Sequence, residues 1–465
     1  MKKSSITINA IFFSGISIAL FLIPACEKLD NEPSVNVETQ VLNKSNMLSL
    51  SETPDIIINT TTDVIDFTGD QLVADLPGPD GLISLREAIV AANQTSGEQI
   101  IHFHIPTSDT GFDGSIFTIQ PTEPLPGLND NGINIDGRSQ TLFSGDTNPF
   151  GPEIVLDGNL AGETPGITIS SDNNTIRDLV IHNFIYTGIQ FNHDPTHTHP
   201  MNVQIAGCYI GTDETGSTAI GNGWEGIAEN GSNNMIGGPE PSDGNLISGN
   251  NFQEVQIDGS GTVMQQNRIG TDRTGTVSLS NGNANGIVVG RTFGCVQVLI
   301  RDNLISGNGG TAILIEGAYS AGNTLSRNRI YSNGGLGIDL NSDGVTLNDA
   351  NDSDTGPNNL INFPVLISAQ TTPGKLVVKG IIDTPNPETI TIEFFANPEP
   401  NPGGDPSGYG EGAMFLGTKT SNPQGKFTAV LPSVAPGTMI SATATDAAGN
   451  TSEFSLNIKA KAPGL

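Results

Sequence analysis

Three columns of apolar residues recur through the middle of the chain. "NTIRDLVIHNFIYTGIQF" (174–191) and "NTLSRNRIYSNGGLGIDL" (323–340) align without a gap, and further copies lie between them. The first column is Ile176, Ile205, Ile236, Met264, Ile300 and Leu325; the second is Ile181, Ile210, Ile247, Ile269, Ile305 and Ile330. The third is Ile189, Ile227, Val255, Ile287, Ile313 and Ile338. Each copy is too short to bury its own core and must stack on its neighbours. Short apolar runs between Asn and Gly turns predict a parallel β-helix, with insertions such as "GGPEPSDG", "IGTDETG" and "IGTDRTG" confined to the turns. Two residues before the second column stand Leu179, Cys208, Asn245, Asn267, Asn303 and Asn328. Asn in register predicts an inward ladder, each amide bonding the next coil, and Cys208 in the same slot reads as a packed thiol. Cys208 and Cys295 lie roughly three coils apart at ~4.8 Å per coil, beyond disulfide reach.

The pattern changes at both ends of the repeat. "DIIINT", "QIIHFHIP", "IFTIQP", "GINIDG" and "EIVLDG" predict irregular first coils over 56–165. Within them "ISLREAIVAAN" (83–93) predicts a helix. Ser84 and Glu87 stand at capping-box spacing, Ile83 and Ala88 at staple spacing, and Leu85, Ala88, Ile89 and Ala92 share one face. A solenoid ends in an exposed coil, so this helix reads as a lid, with that face inward and Arg86 and Glu87 outward or capping. From Asn362 to Ala460, runs such as "KLVVKGII", "TITIEFFAN" and "TMISATATD" are strands at sandwich spacing. They predict an immunoglobulin-like β-sandwich that covers the last coil or binds a partner.

The N-terminus predicts an address rather than structure. Lys2 and Lys3, an apolar run to Ile23, and "IPAC" ending at Cys26 resemble a bacterial lipoprotein signal, which implies a lipid on Cys26. The expected organisation is a signal over 1–25, a tether over 26–55, a β-helix over 56–361 and a sandwich over 362–465. The acidic "EKLDNEP" after Cys26 resembles surface-export signals. The expected location is therefore the outer membrane, facing outward. The chain carries 49 acidic and 19 basic residues, a formal charge of −30, which disfavours nucleic acid as a partner. No Lys occurs between Lys44 and Lys375, and every Arg lies between Arg86 and Arg329.

Leu85-Arg86-Glu87-Ala88, with Ser84 before it and Asn93 after, resembles the SLREA motif of secreted and surface proteins with right-handed β-helix repeats. Ile83 stands where that family usually has Cys. "GINIDGRSQ" (132–140) and the two "IGTD-x-TG" copies resemble the same family. The resemblance spans residues 56–460 and implies a right-handed, pectate-lyase-like solenoid. It does not specify function, because such solenoids host lyases, hydrolases, transferases, adhesins and structural proteins.

Four groups of residues are candidates for chemistry. Arg268 and Arg329 share an outward column, Arg301 and Arg327 sit one strand position away, and Asp302 and Tyr331 share the surface. Arg forks match carboxylates and sulfates, so this set could hold an acidic glycan, supply a lyase base, or simply pair with the abundant acids. Asp258 and Glu316 share an outward position two coils apart, ~9.6 Å by the coil rise, the upper limit for an inverting glycosidase pair. Glu229 stands in an apolar column, which is costly unless it is paired or turned outward. Asp339, Asn341 and Asp343 open like a calcium loop, with Asp349, Asp352 and Asp354 as further ligands; the alternative is a solvated acidic turn. His193, His197 and His199 in "HDPTHTHP" suit zinc or copper, or a polar loop. The leading expectation is recognition of an extracellular polysaccharide. The alternatives are a polysaccharide lyase or glycoside hydrolase acting on an acidic glycan, and an adhesive or structural module with protein partners.

Overall fold

The computed structural model describes residues 55–192, 199–292, 294–398 and 406–462. Three sheets of nine, eight and seven strands, all parallel, run the length of the repeat. From Ile133 onward the chain visits the first, second and third sheet in turn and steps one strand along each time, which makes a parallel β-helix. The register reproduces the three apolar columns. Ile176, Ile205 and Ile236 pair in the first sheet, Ile181, Ile210 and Ile247 in the second, and Ile189, Ile227 and Val255 in the third. All of these side chains are buried in one core.

One residue turns the chain from the first sheet to the second. Asp178, Gln266, Asp302 and Arg327 each take that corner with φ between 53 and 64°. Left-handed backbone is costly for such residues, and the position that follows compensates. Asn245 N and Nδ2 donate to Asn267 Oδ1 at 3.0 and 2.9 Å. Asn267 bonds Asn303 in the same way, and Asn303 bonds Asn328. Cys208 N donates to Asn245 Oδ1 at 2.9 Å, so its backbone amide extends the ladder. Cys208 and Cys295 are both free and buried, and burial pushes both thiols up to about 12.

Helix α1 (Leu85–Gln94) closes the first end. Glu87 N donates to Ser84 Oγ at 3.1 Å and Ser84 N donates to Glu87 Oε2 at 2.9 Å, a complete capping box. Leu85, Ala88, Ile89 and Ala92 join the solenoid core. Arg86 departs from the outward position expected of it. It is buried, with Nε and Nη2 each 2.8 Å from the Asp63 carboxylate and two further bonds to the carbonyls of Glu123 and Pro124. The fixed guanidinium fork finds four acceptors there, which offsets its desolvation.

The other end is closed by seven antiparallel strands in two sheets. Val365–Thr372, Lys375–Ile381 and Lys426–Leu431 form one; Thr391–Asn397, Met414–Thr420, Met439–Thr445 and Ile458–Lys459 form the other. Their shared core includes Leu376, Val378, Ile392, Phe394 and Ile440. Of the two roles open to this module, the contacts show that it covers the last coil. Gly412 and Ile330 exchange backbone bonds of 2.8 and 2.9 Å. Phe395 and Phe454 enter the solenoid core. Three glutamates meet the three sheet ends. Glu393 accepts from Arg327 N, Glu411 from Ser332 N and Asn333 N, and Glu453 from Leu340 N and Thr346 N, at 2.8 to 3.1 Å. Unpaired backbone donors at a sheet end are thus satisfied by glutamate side-chain oxygens.

Candidate functional site

The outward column of the third sheet reads Thr168, Gln190, Ala228, Gln256, Val288, Leu314, Asp339 in successive coils. Ala228 is the small member between two glutamines. Coils rise by ~4.8 Å, so Gln190 and Gln256 flank a gap two steps wide, roughly 9.6 Å. The turn entering the Ala228 strand supplies a wall. Gly223 N donates to Phe184 O at 2.8 Å and Trp224 N to Tyr186 O at 3.2 Å. A Cβ on Gly223 would lie 2.0 Å from the Ile185 carbonyl oxygen, so the turn can press this close only with glycine there. Trp224, the chain's one tryptophan, is left 54 % exposed. Its ring centroid is 4.9 Å from that of Tyr186, tilted by 47°.

The result is a hollow of roughly 270 Å³ with Trp224 at its side, Ala228 in its floor, and Gln190, Asn230, Gln256, Asp258 and Thr292 around it. Its polar groups are held in order. Gln253 Nε2 donates to Gln256 Oε1 at 2.7 Å, and Gln256 Nε2 donates to Asp258 Oδ2 at 2.6 Å. Thr292 N and Oγ1 both donate to Asp258 at 2.9 Å. Glu225 accepts from Thr187 Oγ1 and Gln253 Nε2, each at 3.2 Å. The carboxylates are thus occupied acceptors. Among the described residues, Asn230 Oδ1 has no hydrogen-bond partner, and no Lys or Arg lines the hollow. An apolar plate beside convergent amides and hydroxyls suits a ligand with one apolar face and a rim of hydroxyls.

Asp258 is the one acidic candidate from the sequence that faces this hollow with its carboxylate at the rim. Glu316 does not join it. It pairs with Arg291 at 3.2 Å, while Thr292 takes Asp258, so the segment between the two acids engages both. Glu229 lines the hollow from below but is buried. Its carboxylate accepts from Gly231 N, Asn234 Nδ2 and Thr262 Oγ1 at 2.6 to 3.2 Å, and burial raises its pKa. It is an inward turn cap, which resolves the cost of its place in an apolar column.

The arginine set is divided by the structure. Arg268 and Arg329 do share a column, with Leu304 between them. Arg327 and Arg301 gather on Asp302 at 2.6 and 3.8 Å, and Arg301 Nε donates to Gln265 Oε1 at 2.8 Å. Arg329 lies over the Tyr331 ring, 5.9 Å from its centroid, and reaches Ala413 O in the terminal sandwich. Tyr331 donates its hydroxyl to Gly275 O at 3.0 Å. Arg268 stands apart from these, in a groove with Arg138, Arg177 and Arg273.

The six acidic-loop residues also separate. Asp339 is buried, its Oδ1 has no hydrogen-bond partner among the described residues, and burial raises its pKa. Asn341 Nδ2 donates to Asp343 Oδ2 at 3.2 Å. Asp349, Asp352 and Asp354 do converge, with oxygens within 4.8 Å of one another. Burial, with Asp354 and Asp349 beside it, pushes Asp352 up to about 6. These are hard oxygen donors of the type calcium takes. His193, His197 and Cys26 lie outside the described residues, and His199 alone does not make a ligand set. No known protein-family model matches the chain.

Proposed function

We propose that this protein is a lipid-anchored surface β-helix, of the SLREA-type family it resembles, that recognises an extracellular polysaccharide through the hollow beside Trp224. The carrying observation is that hollow: an exposed tryptophan, a small-residue floor, and amides two coils apart. A pyranose ring offers one C–H face to an indole and a rim of hydroxyls to amides, and it needs no countercharge. The solenoid rise repeats the outward columns along the axis, which suits a polymer laid across several coils. Cys26 would hold the protein at the outer membrane, facing outward. Calcium at Asp349, Asp352 and Asp354 would brace the junction between β-helix and sandwich, away from the saccharide. The binding reading is preferred over a lyase or hydrolase because the facing acids do not form a pair and each has a local partner.

The test is calorimetric titration of the purified chain with neutral oligosaccharides of differing linkage, beside Trp224→Ala. Alanine removes the stacking plate, worth about 1–3 kcal/mol by analogy with base–aromatic stacking, so affinity should fall roughly tenfold or more. A panel without binding to folded protein, or binding unchanged in Trp224→Ala, would refute the reading. Release of reducing or unsaturated ends during the titration would move it to the enzyme class.

A further inference from the structure

The second sheet carries a separate groove of roughly 480 Å³. Its floor is the outward column Tyr209, Leu246, Arg268 in three successive coils. Two insertions build its walls. One contains helix α2 (Arg138–Ser144); beside it Val155 and Val180 are buried with Ile116 and against Tyr209 in a small cluster separate from the solenoid core. Its return segment is fastened to the floor by Tyr209, whose hydroxyl donates to Phe150 O at 2.6 Å. The other is the "IGTDRTG" turn, which projects Arg273. Arg273 Cζ lies 4.7 Å from the Phe150 ring centroid. The insertions are tied together, since Asn148 Nδ2 donates to Glu214 O at 2.9 Å and Arg273 N to Gly216 O at 2.8 Å.

Charge is what sets this groove apart. The chain carries a net −30, yet four arginines meet here: Arg138, Arg177, Arg268 and Arg273. Of these, Arg177 is paired with Asp178 at 2.9 Å and Asp243 at 3.7 Å. Among the described residues, Arg138, Arg268 and Arg273 have no ion-pair partner. Arg273 Nε is buried and has no hydrogen-bond acceptor. A buried charged donor without an acceptor is costly, and an anion in the groove would supply one. The acids present do not answer this demand. Asp178 is taken by Arg177. Glu153 is buried, accepts from Thr141 Oγ1 at 2.5 Å, and has its pKa raised by burial. Asp146 is exposed on the rim.

We propose that this groove binds the anionic substituents, sulfate esters or carboxylates, of a saccharide. Arg268 and Arg273 present planar forks that match either group in a bidentate way. Phe150 and Pro149 give the sugar ring an apolar wall. The identity of the carrier rests on the saccharide reading of the hollow; recognition of the anion does not. The site is a second one, on a different sheet, and it makes the protein selective for acidic over neutral chains.

The experiment is calorimetry on the full chain with a sulfated oligosaccharide, its desulfated counterpart, a uronate oligosaccharide and inorganic sulfate. The acidic oligosaccharides should bind at least tenfold more tightly than the desulfated one, and less tightly as salt rises. The double variant Arg268→Ala, Arg273→Ala should lose that advantage while keeping the binding that Trp224→Ala removes. Arg138→Ala, on an exposed helix residue, gives a milder loss and guards against misfolding. Equal affinity for sulfated and desulfated chains, or an unchanged double variant, overturns the proposal. Inorganic sulfate binding as tightly as the oligosaccharide overturns the saccharide carrier. Loss of neutral binding in Trp224→Ala with acidic selectivity intact separates this proposal from the hollow.

Discussion

Arg86 offers the sharpest test of how the solenoid is closed. Its side chain and that of Asp63 are each only 5 % exposed. Arg86→Met keeps the apolar stem and removes four bonds, two to Asp63 and one each to the carbonyls of Glu123 and Pro124. Asp63 is left with Thr122 N at 2.8 Å and Thr122 Oγ1 at 3.2 Å. Breaking one side of a buried pair costs about 3–5 kcal/mol, because the remaining charge is stranded. Arg86→Met, Asp63→Leu removes that charge and should recover part of the loss; Thr122 N then lacks its acceptor, a residual cost of about 1–3 kcal/mol. A solenoid need not unfold in one step, so the readout should be local. Hydrogen exchange of the α1 amides, compared with amides near Ile287, reports the lid separately from the distant coils. If Arg86→Met leaves α1 exchange within about 1 kcal/mol of the unaltered chain, the buried pair does not hold the lid.

Two further predictions concern the interior and the far end. Asn267→Ala leaves Asn245 N, Asn245 Nδ2 and the Ile236 carbonyl without this partner; at about 1–3 kcal/mol per buried group, the loss should exceed about 3 kcal/mol, and faster exchange of the Asn245 amide should localise it. Burial pushes Glu453 up to about 8 from an ordinary 4.5, so the folded chain holds this proton more tightly than the unfolded one. The contribution of this burial to stability is therefore fully present below pH 4.5 and is lost as pH rises from there through about 8, while the bonds from Leu340 N and Thr346 N limit the loss by favouring the ionised form. Glu453→Gln should flatten the fall in melting temperature between about pH 5 and 8, and an identical slope in both proteins would remove Glu453 as its cause.

The repeat was legible because a solenoid writes its core into the chain at nearly constant intervals. Ile205, Ile236 and Met264 are read as one column from spacing alone, and they pair across neighbouring strands. The asparagine ladder was legible for the same reason. Arg86 was misread because its environment is not periodic. Asp63 lies in an irregular segment 23 residues earlier, and helical spacing cannot reveal a buried anion there. The calcium-type spacing over 339–354 does not gather all six residues: only Asp349, Asp352 and Asp354 bring their oxygens within 4.8 Å of one another. Asp339 belongs to the last strand of the third sheet and is buried there, with its Oδ1 unpartnered among the described residues.

The two proposed binding surfaces are harder to read, and the difficulty is physical. A solenoid shows its core as a sum over many equivalent coils, but a site is made where one coil breaks the equivalence. Ala228 is unremarkable until Gln190 and Gln256 are known to flank it. Trp224 has meaning only beside Tyr186, one copy earlier. The arginine groove draws on Arg138, Arg177, Arg268 and Arg273, which span more than four coils of sequence but meet because one insertion folds across the sheet. Insertions are also where the repeat tolerates change, since they lie outside the columns. Function in this protein should therefore be sought in the α2 insertion and in the turn carrying Trp224. Exchanging either for a plain turn should leave the three columns folded and abolish one binding activity while sparing the other.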